Sequence, residues 1–166
     1  ISAGDIDHSV LTVEDIIDFA DNADISDVKE LLDRQIAYNT AIAKEGLTGK
    51  YGAAIGRTLL MSYGNTVHNR AKAWAAAGSD ARMSGCELPV IINSGSGNQG
   101  ITASVPVAVV AADMGATREQ LLRAVTLSDL VTIHQKAGIG RLSAYCGAIS
   151  AGCGAGAGIA YLRGGD

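Results

Sequence analysis

The residues best suited to chemistry are a glycine-rich polar run and, further along, single cysteine, histidine and lysine residues. The run comprises Asn93, Ser94, Gly95, Ser96, Gly97, Asn98, Gln99 and Gly100. Small residues at the start of a helix let backbone N–H groups approach an anion, which the partial positive charge of the helix N-terminus also favours. A carboxylate would suit such a site, so the run predicts an anion-binding loop.

Two other interpretations of this run are considered. Its pattern G-x-G-x-x-G also occurs in dinucleotide-binding turns. That fold requires alternating strands and helices with an acidic residue after the second strand, whereas Glu119 lies in a helical capping pattern. The run could also be a simple turn with Asn98 as a local cap. Both alternatives remain open beside the anion site.

The cysteines Cys86, Cys146 and Cys153 are candidates for metal or redox chemistry. No C-x-x-C pair occurs, which argues against tetrahedral zinc. On one continuous helix Cys146 and Cys153 would be about 10.5 Å apart along the axis, too far for a disulfide. A lone cysteine in an apolar segment is commonly a small buried hydrophobe, but each of the three could contribute singly to an iron–sulfur cluster.

A second group surrounds Gly138 and combines a possible base, two cations, a phenol and a thiol. Its members are His134, Lys136, Arg141, Tyr145 and Cys146. Cations near the end of a helix also stabilise it without any function. Their proximity to one another is what makes a site worth considering here.

Helical patterns account for most of the chain. Thr12 is a predicted N-cap of a short acidic helix, and Ser26 is predicted to cap a helix over residues 27–45. We expect one long or kinked helix over 51–77, a stop and new cap at 78–80, and a short helix ending near Gly85. Residues 101–114 form a further apolar helix with Pro106 inside.

The last third of the chain continues the helical pattern. Thr117 opens a capping box for a helix to about Lys136, and the Gly138-Ile-Gly140 sequence ends it. Residues 141–162 are rich in alanine and glycine, and within them residues 144–162 predict a buried central helix with close backbone contacts. We therefore predict an all-α fold with a glycine-rich central helix and a glycine-rich ligand loop. Residues 1–166 would form one domain, with an acidic helical lead-in over 1–45 and a core over 46–166.

Composition restricts the classes of partner. The net charge is −4, and basic residues do not cluster with aromatic ones. We therefore expect that the chain does not bind nucleic acid. Residues 144–162 carry no charge, so a membrane-embedded helical protein is a third interpretation. Most of these residues are glycine, alanine, serine or cysteine, which contribute little free energy of transfer into a membrane. We expect no membrane insertion. An odd number of cysteines and no signal-peptide pattern favour the cytoplasm.

Three longer motifs add a resemblance. They are residues 83–100 (MSGCELPVIINSGSGNQG), 134–147 (HQKAGIGRLSAYCG) and 150–158 (SAGCGAGAG). Together they resemble the serine dehydratase-like alpha-chain family, most closely its L-cysteine desulfidase branch (UPF0597-type). The resemblance runs over essentially the whole chain and is weakest in the first 45 residues.

The resemblance implies a cytoplasmic all-α lyase with a [4Fe–4S] cluster and no pyridoxal phosphate. The implied reaction is β-elimination from L-cysteine, giving sulfide, ammonia and pyruvate, or from L-serine. By position, Cys146 matches a cluster ligand, with Cys86 and Cys153 as secondary candidates. The run from Asn93 to Gly100, with Arg141, would hold the substrate, and His134 and Lys136 would orient it or move a proton.

One departure from the family qualifies this resemblance. Members of the family are longer and carry further cluster cysteines, which this chain lacks. We therefore interpret the chain as a fragment that by itself holds no complete cluster and is inactive. Its partners would be the remaining N- and C-terminal parts of the same protein, a small amino-acid substrate and a possible second copy of itself. The alternative function is a non-catalytic helical domain that binds a small molecule or anion without a cluster.

Overall fold

The computed structural model describes residues 11–139 and 146–165, and over these residues all elements are α-helices apart from one isolated bridge between Asn93 and Ser96. The helices are α1 (Val13–Asn22), α2 (Ile25–Thr48), α3 (Ile55–Tyr63), α4 (Val67–Met83), α5 (Gly97–Met114), α6 (Arg118–Ala137) and α7 (Gly147–Leu162). The predicted all-α fold is therefore confirmed.

Two predicted helix starts are confirmed. Thr12 accepts a hydrogen bond from the Asp15 N–H at the start of α1, and Thr117 forms a complete capping box with Gln120 at the start of α6. The predicted cap of α2 was wrong. Asp24 is the N-cap and accepts from the Ser26 N–H at 2.9 Å, so α2 begins at Ile25 and runs to Thr48.

The predicted long helix over residues 51–77 is instead two helices. Gly64 ends α3 with a positive φ of 81°, and Thr66 caps α4. The Asn69 side chain fixes this break, because its amide donates to the carbonyls of both Tyr63 and Gly64.

The predicted stop at residues 78–80 was also wrong, since α4 continues through them to Met83. Gly78 lies where helices cross closely: a Cβ there would be 3.3 Å from the Ala43 Cα and 3.0 Å from the Ile101 Cγ2. Asp80 does act as a cap, but for α3, because its Oδ2 accepts from the Ile55 N–H at 2.9 Å.

The helix α5 is the most deeply buried element and packs against α2, α4, α6 and α7. The glycine-rich helix α7 packs on α5 and α6 through one face, which carries Ser150, Gly154 and Gly158. A Cβ at Gly154 would lie 2.3 Å from the Ser128 carbonyl oxygen. The predicted close backbone contacts of this segment are thus present, and its opposite face, with Cys153, is exposed.

Helix directions follow from these contacts. Gly147 contacts Gln99, and Gly158 contacts Val107, so α5 and α7 run in the same direction. Helix α6 runs oppositely, because Thr132 lies beside Gly154 and Ala124 beside Gly158. The N-termini of α5 and α7 and the C-terminus of α6 therefore share one end of the bundle. We call this end the loop end. Among the described helices, none is both long and apolar enough to span a bilayer.

Candidate functional site

The first half of the glycine-rich run is a tight turn. Asn93 and Ser96 pair with each other: the Ser96 N–H donates to the Asn93 carbonyl at 3.1 Å, and the Asn93 N–H donates back at 3.2 Å. Between them, Ser94 and Gly95 have φ values of +49° and +83°. Positive φ at both central residues is typical of a type I′ turn, and it is strained for a serine.

The second half of the run is the first turn of α5, which begins at Gly97 and not, as predicted, at Ile101. Ser96 is its N-cap: its hydroxyl accepts from the Gln99 N–H, and its carbonyl accepts from the Gly100 N–H. Ser96 takes up neither the Gly97 nor the Asn98 N–H. These two groups lie at the positive end of the helix dipole, where an anion is favoured.

Arg82, at the end of α4, adds a positive charge to this turn. Its Nη1 donates to the Asn98 Oδ1 at 3.1 Å. A Cβ at Gly97 would lie 2.4 Å from the Arg82 Nε, so only glycine lets the guanidinium approach so closely. A guanidinium beside a helix N-terminus strengthens the positive potential at that point.

The backbone before the turn is held by Asn39 of α2, which is fully buried. The Asn39 amide accepts from the Ile91 N–H at 2.9 Å and donates to the Ile91 carbonyl at 3.1 Å. A Cβ at Gly100 would lie only 2.0 Å from that same carbonyl oxygen. The segment that leads into the turn is therefore fixed against α5 at a distance that only glycine allows.

Gln99 joins the N-termini of α5 and α7. Its side chain is buried and contacts Gly147, where a Cβ would lie 2.3 Å from the Gln99 Nε2. The buried Gln99 Oε1 has no hydrogen-bond partner in the part of the chain that the structure describes. Cys146, the exposed N-cap residue of α7, directly precedes Gly147. The predicted cluster ligand and the predicted anion loop thus lie at the same end of the bundle.

His134 and Lys136 lie in the last turn of α6 and are half-buried. Thr132 lies beside Gly154, and α6 is antiparallel to α7. Lys136, four residues beyond Thr132, is therefore about one turn closer to the α7 N-terminus than Thr132 is. These two residues therefore reach the loop end. Arg141 and Tyr145, the other members of this predicted group, lie outside the described residues.

Asp129 is a partly buried carboxylate that the sequence analysis did not select. Its Oδ1 accepts from the Gln35 Nε2 at 2.9 Å and from the Asn93 Nδ2 at 2.8 Å. Burial raises the pKa of Asp129 to about 6, against the lowering effect of these two hydrogen bonds. Asn93 in turn accepts from the Ser94 hydroxyl at 2.7 Å. The carboxylate therefore supports the turn from behind.

The three cysteines lie in different surroundings. Cys153 is exposed on α7, seven residues after Cys146. Cys86 follows α4 and contacts the Tyr51 hydroxyl, which also donates to the Glu45 carboxylate at 3.1 Å. The Cys86 thiol and then Glu45 raise the pKa of Tyr51 to about 12.

A [4Fe–4S] cluster needs about four ligands, most often thiolates. Over residues 11–139 and 146–165, no three His, Cys, Asp or Glu side chains come together in a group that could hold a metal. The described donor set does not fit a complete cluster; Cys146, the predicted ligand, is a free cysteine at the loop end.

Four residues of the loop end were missed by sequence reasoning: Gln35, Asn39, Arg82 and Asp129. Two of them left a detectable signal. Gln35 and Asn39 are polar residues within the apolar stripe that Leu32, Ile36 and Ala43 define on α2, and buried amides require hydrogen-bond partners. Arg82 and Asp129 gave no such signal, because charged residues on helices are ordinarily exposed and need no partner elsewhere in the chain.

The fold and the site define a class: an all-α domain with a glycine-rich turn at the end where two helix N-termini meet. A family model described as the serine dehydratase alpha chain matches residues 6–166. The chain belongs to this family.

Its curated relatives carry the name UPF0597 protein. One from Desulfitobacterium hafniense is 66% identical over 159 residues, covering 96% of this chain and 37% of the relative. One from Lachnoclostridium phytofermentans is 60% identical, covering 97% and 39%. One from Bacteroides thetaiotaomicron is 40% identical, covering 94% and 37%. The chain therefore spans less than two fifths of these relatives. No solved structure matches it significantly.

Proposed function

We propose that this chain is the amino-acid-binding part of an iron–sulfur-dependent, cytoplasmic lyase that catalyses β-elimination from L-cysteine or L-serine. The observation that carries the proposal is the convergence of the α5 and α7 N-termini at Gln99, where Cys146 is the N-cap residue that directly precedes Gly147. Membership of the serine dehydratase alpha-chain family supports the reaction class.

The first turn of α5 is the proposed site of the substrate carboxylate. The Gly97 and Asn98 N–H groups would donate to it, and the Arg82 guanidinium would add a favourable charge. The Gln99 Oε1, which has no hydrogen-bond partner among the described residues, is an acceptor and suits the substrate ammonium group. A small amino acid would thus find complementary groups for both of its charges at the loop end. Arg141 is proposed as a further substrate contact.

The reaction itself removes the α-proton and breaks the bond between Cβ and sulfur, or between Cβ and oxygen. It releases sulfide or water and leaves aminoacrylate, which hydrolyses to pyruvate and ammonia. His134 and Lys136 are the proposed groups that orient the carboxylate or move the proton, because they end α6 at the same end of the bundle.

The cluster itself would need ligands beyond those in the described residues. Cys146 is the proposed ligand from this chain, and the remaining ligands would come from the parts of the longer relatives that the chain does not span. Cys86 and Cys153 are weaker candidates for this role, because Cys86 follows α4 and Cys153 lies within α7, whereas Cys146 is at the α7 N-terminus.

The test is anaerobic reconstitution of the gene-encoded protein that carries residues 1–166, with iron and sulfide. Visible absorption would report the cluster, and pyruvate and sulfide formation would report turnover of L-cysteine, with pyruvate from L-serine assayed in parallel. We expect Cys146→Ala to abolish absorption and turnover and Cys153→Ala, the matched control, to retain both. A reconstituted protein that is colourless and inert with both amino acids would refute the lyase proposal.

The same geometry supports the non-catalytic alternative if turnover is absent. The first turn of α5 with Arg82 is an anion site that needs no cluster. In that case a small carboxylate should still bind, as measured by calorimetry, and Arg82→Gln should weaken the binding. Equal affinity of the Arg82→Gln protein would exclude this turn as the site.

A further inference from the structure

A cavity of about 350 Å³ opens on the α2 side of Asp129. Its walls are mainly apolar, with Val28, Leu31, Leu32, Ile92, Leu130 and Ile133 among them. Polar groups are few and lie together: Gln35, Asn93, Ser94, Thr126 and Asp129. An apolar cavity with a few convergent polar groups is the usual form of a small-molecule site.

The charge of Asp129 is not matched by a cation among the described residues. From the described residues its carboxylate accepts two hydrogen bonds, and both come from neutral amides and go to Oδ1. None of the ion pairs between described residues includes Asp129. A carboxylate in apolar surroundings is costly unless a positive charge accompanies it, and burial accordingly raises its pKa.

We infer that this cavity binds an organic primary ammonium with an apolar body, its charged group on the Asp129 carboxylate and its hydrocarbon against the α2 and α6 side chains. The charge of the ligand follows from Asp129, and its apolar character follows from the walls. Gln35 and Asn93 hold the carboxylate so that Oδ1 is already engaged, which leaves Oδ2 to receive the ammonium.

This site would bind a cation, whereas the first turn of α5 would bind a carboxylate. The two sites are connected through Asn93. Asn93 donates to Asp129 and begins the type I′ turn that leads into Ser96, the N-cap of α5. A ligand on Asp129 would therefore bear on the residue that anchors this turn. It would be a second ligand, distinct from a small polar amino-acid substrate.

The test compares 3-methylbutan-1-amine with 3-methylbutan-1-ol, which has the same hydrocarbon without the charge. Binding to the gene-encoded protein that carries residues 1–166 is measured by calorimetry at pH 8. We expect the amine to bind at least about tenfold more tightly than the alcohol, because a hydrogen bond to a charged group is the stronger kind.

Asp129→Asn is the decisive variant, since its Oδ1 can still accept from Gln35 and Asn93 while the charge is gone. Asp113→Asn removes the same charge from an exposed carboxylate that pairs with Arg70 outside this cavity, and it is the matched control. The amine should lose about tenfold or more in affinity with Asp129→Asn and none with Asp113→Asn.

The inference is overturned if the amine does not bind, if the alcohol binds equally well, or if Asp129→Asn binds the amine as tightly as the original protein. The comparison of amine with alcohol keeps the test valid even if Asp129→Asn does not fold. Lyase activity does not enter this test, so its outcome is independent of the proposed function.

Discussion

Gly147 at the start of α7 lies against the Gln99 amide at the start of α5, so closely that a Cβ at 147 would be 2.3 Å from the Gln99 Nε2. The absence of a side chain at residue 147 is therefore what lets two helix N-termini meet around a buried polar group. Both helix dipoles direct their positive ends to the same place, which favours an anionic group there.

Gly147→Ala should displace Gln99. We expect substrate affinity and turnover of the gene-encoded protein to fall by more than tenfold, whereas the free energy of unfolding should change comparatively little. The reason is that a Cβ would force the buried Gln99 amide to move. The matched control is Gly152→Ala on the same helix, where a Cβ meets nothing within 4 Å. Equal activities of the two variants would show that Gln99 has no part in binding.

Gly154→Ala should destabilise the fold by about 2–4 kcal/mol, because the new Cβ would lie 2.2 Å from the Thr132 Oγ1 and 2.3 Å from the Ser128 carbonyl oxygen. Gly152→Ala should instead stabilise it by roughly 0.5–1 kcal/mol through helix propensity. Urea unfolding followed by circular dichroism measures both. Similar unfolding midpoints for the two variants would mean that α7 does not pack on α6 through Gly154.

Asp80→Ala should cost about 1 kcal/mol, because the α3 N-terminus would lose the carboxylate that accepts from the Ile55 N–H. Asp80→Asn keeps an oxygen acceptor and should cost less. Thermal unfolding of the two variants gives the comparison, with Asp113→Asn as a surface control. An unchanged melting temperature for Asp80→Ala would contradict the assignment of Asp80 as the cap.

The contribution of Asp129 to the free energy of unfolding should fall as pH rises from about 4 to about 6. Burial raises the folded-state pKa of Asp129 to about 6 from an unfolded value of 3.8. The folded state therefore binds more protons across this range, and the contribution is fully present below the unfolded value and lost above about 6.

Asp129→Asn removes this titration. Relative to the original protein, the variant should gain stability as pH rises from 4 to 7, by up to about 3 kcal/mol, since one pKa unit corresponds to about 1.4 kcal/mol. Urea unfolding of both proteins at a series of pH values measures the difference. A difference that is constant with pH would show that Asp129 titrates equally in the folded and unfolded states.

The sequence predicted those features whose partners are near in the chain. Thr12 and Thr117 each cap a helix through an N–H three residues later, and the pattern of residue types is enough to find them. The glycine-rich run was found for the same reason, since its turn closes between Asn93 and Ser96.

Features that depend on distant partners were not predictable in this way. Gln35 meets Asp129 across 94 residues, and Asn39 meets Ile91 across 52. Gly78 was interpreted as a helix stop, because a glycine that breaks a helix and one that admits a neighbouring helix look alike in a single sequence. Only the packing of α4 on α2 and α5 distinguishes them.

The capping of α3 by Asp80 also has a consequence for the order of folding. A nine-residue helix is too short to be stable in water by itself, and the carboxylate that completes its first turn comes from the last turn of α4. Helix α3 can therefore form only after α4 has assembled, although it comes first in the chain. Opening of α4 should then release α3 with it, so the two helices would exchange their amide hydrogens as one cooperative unit.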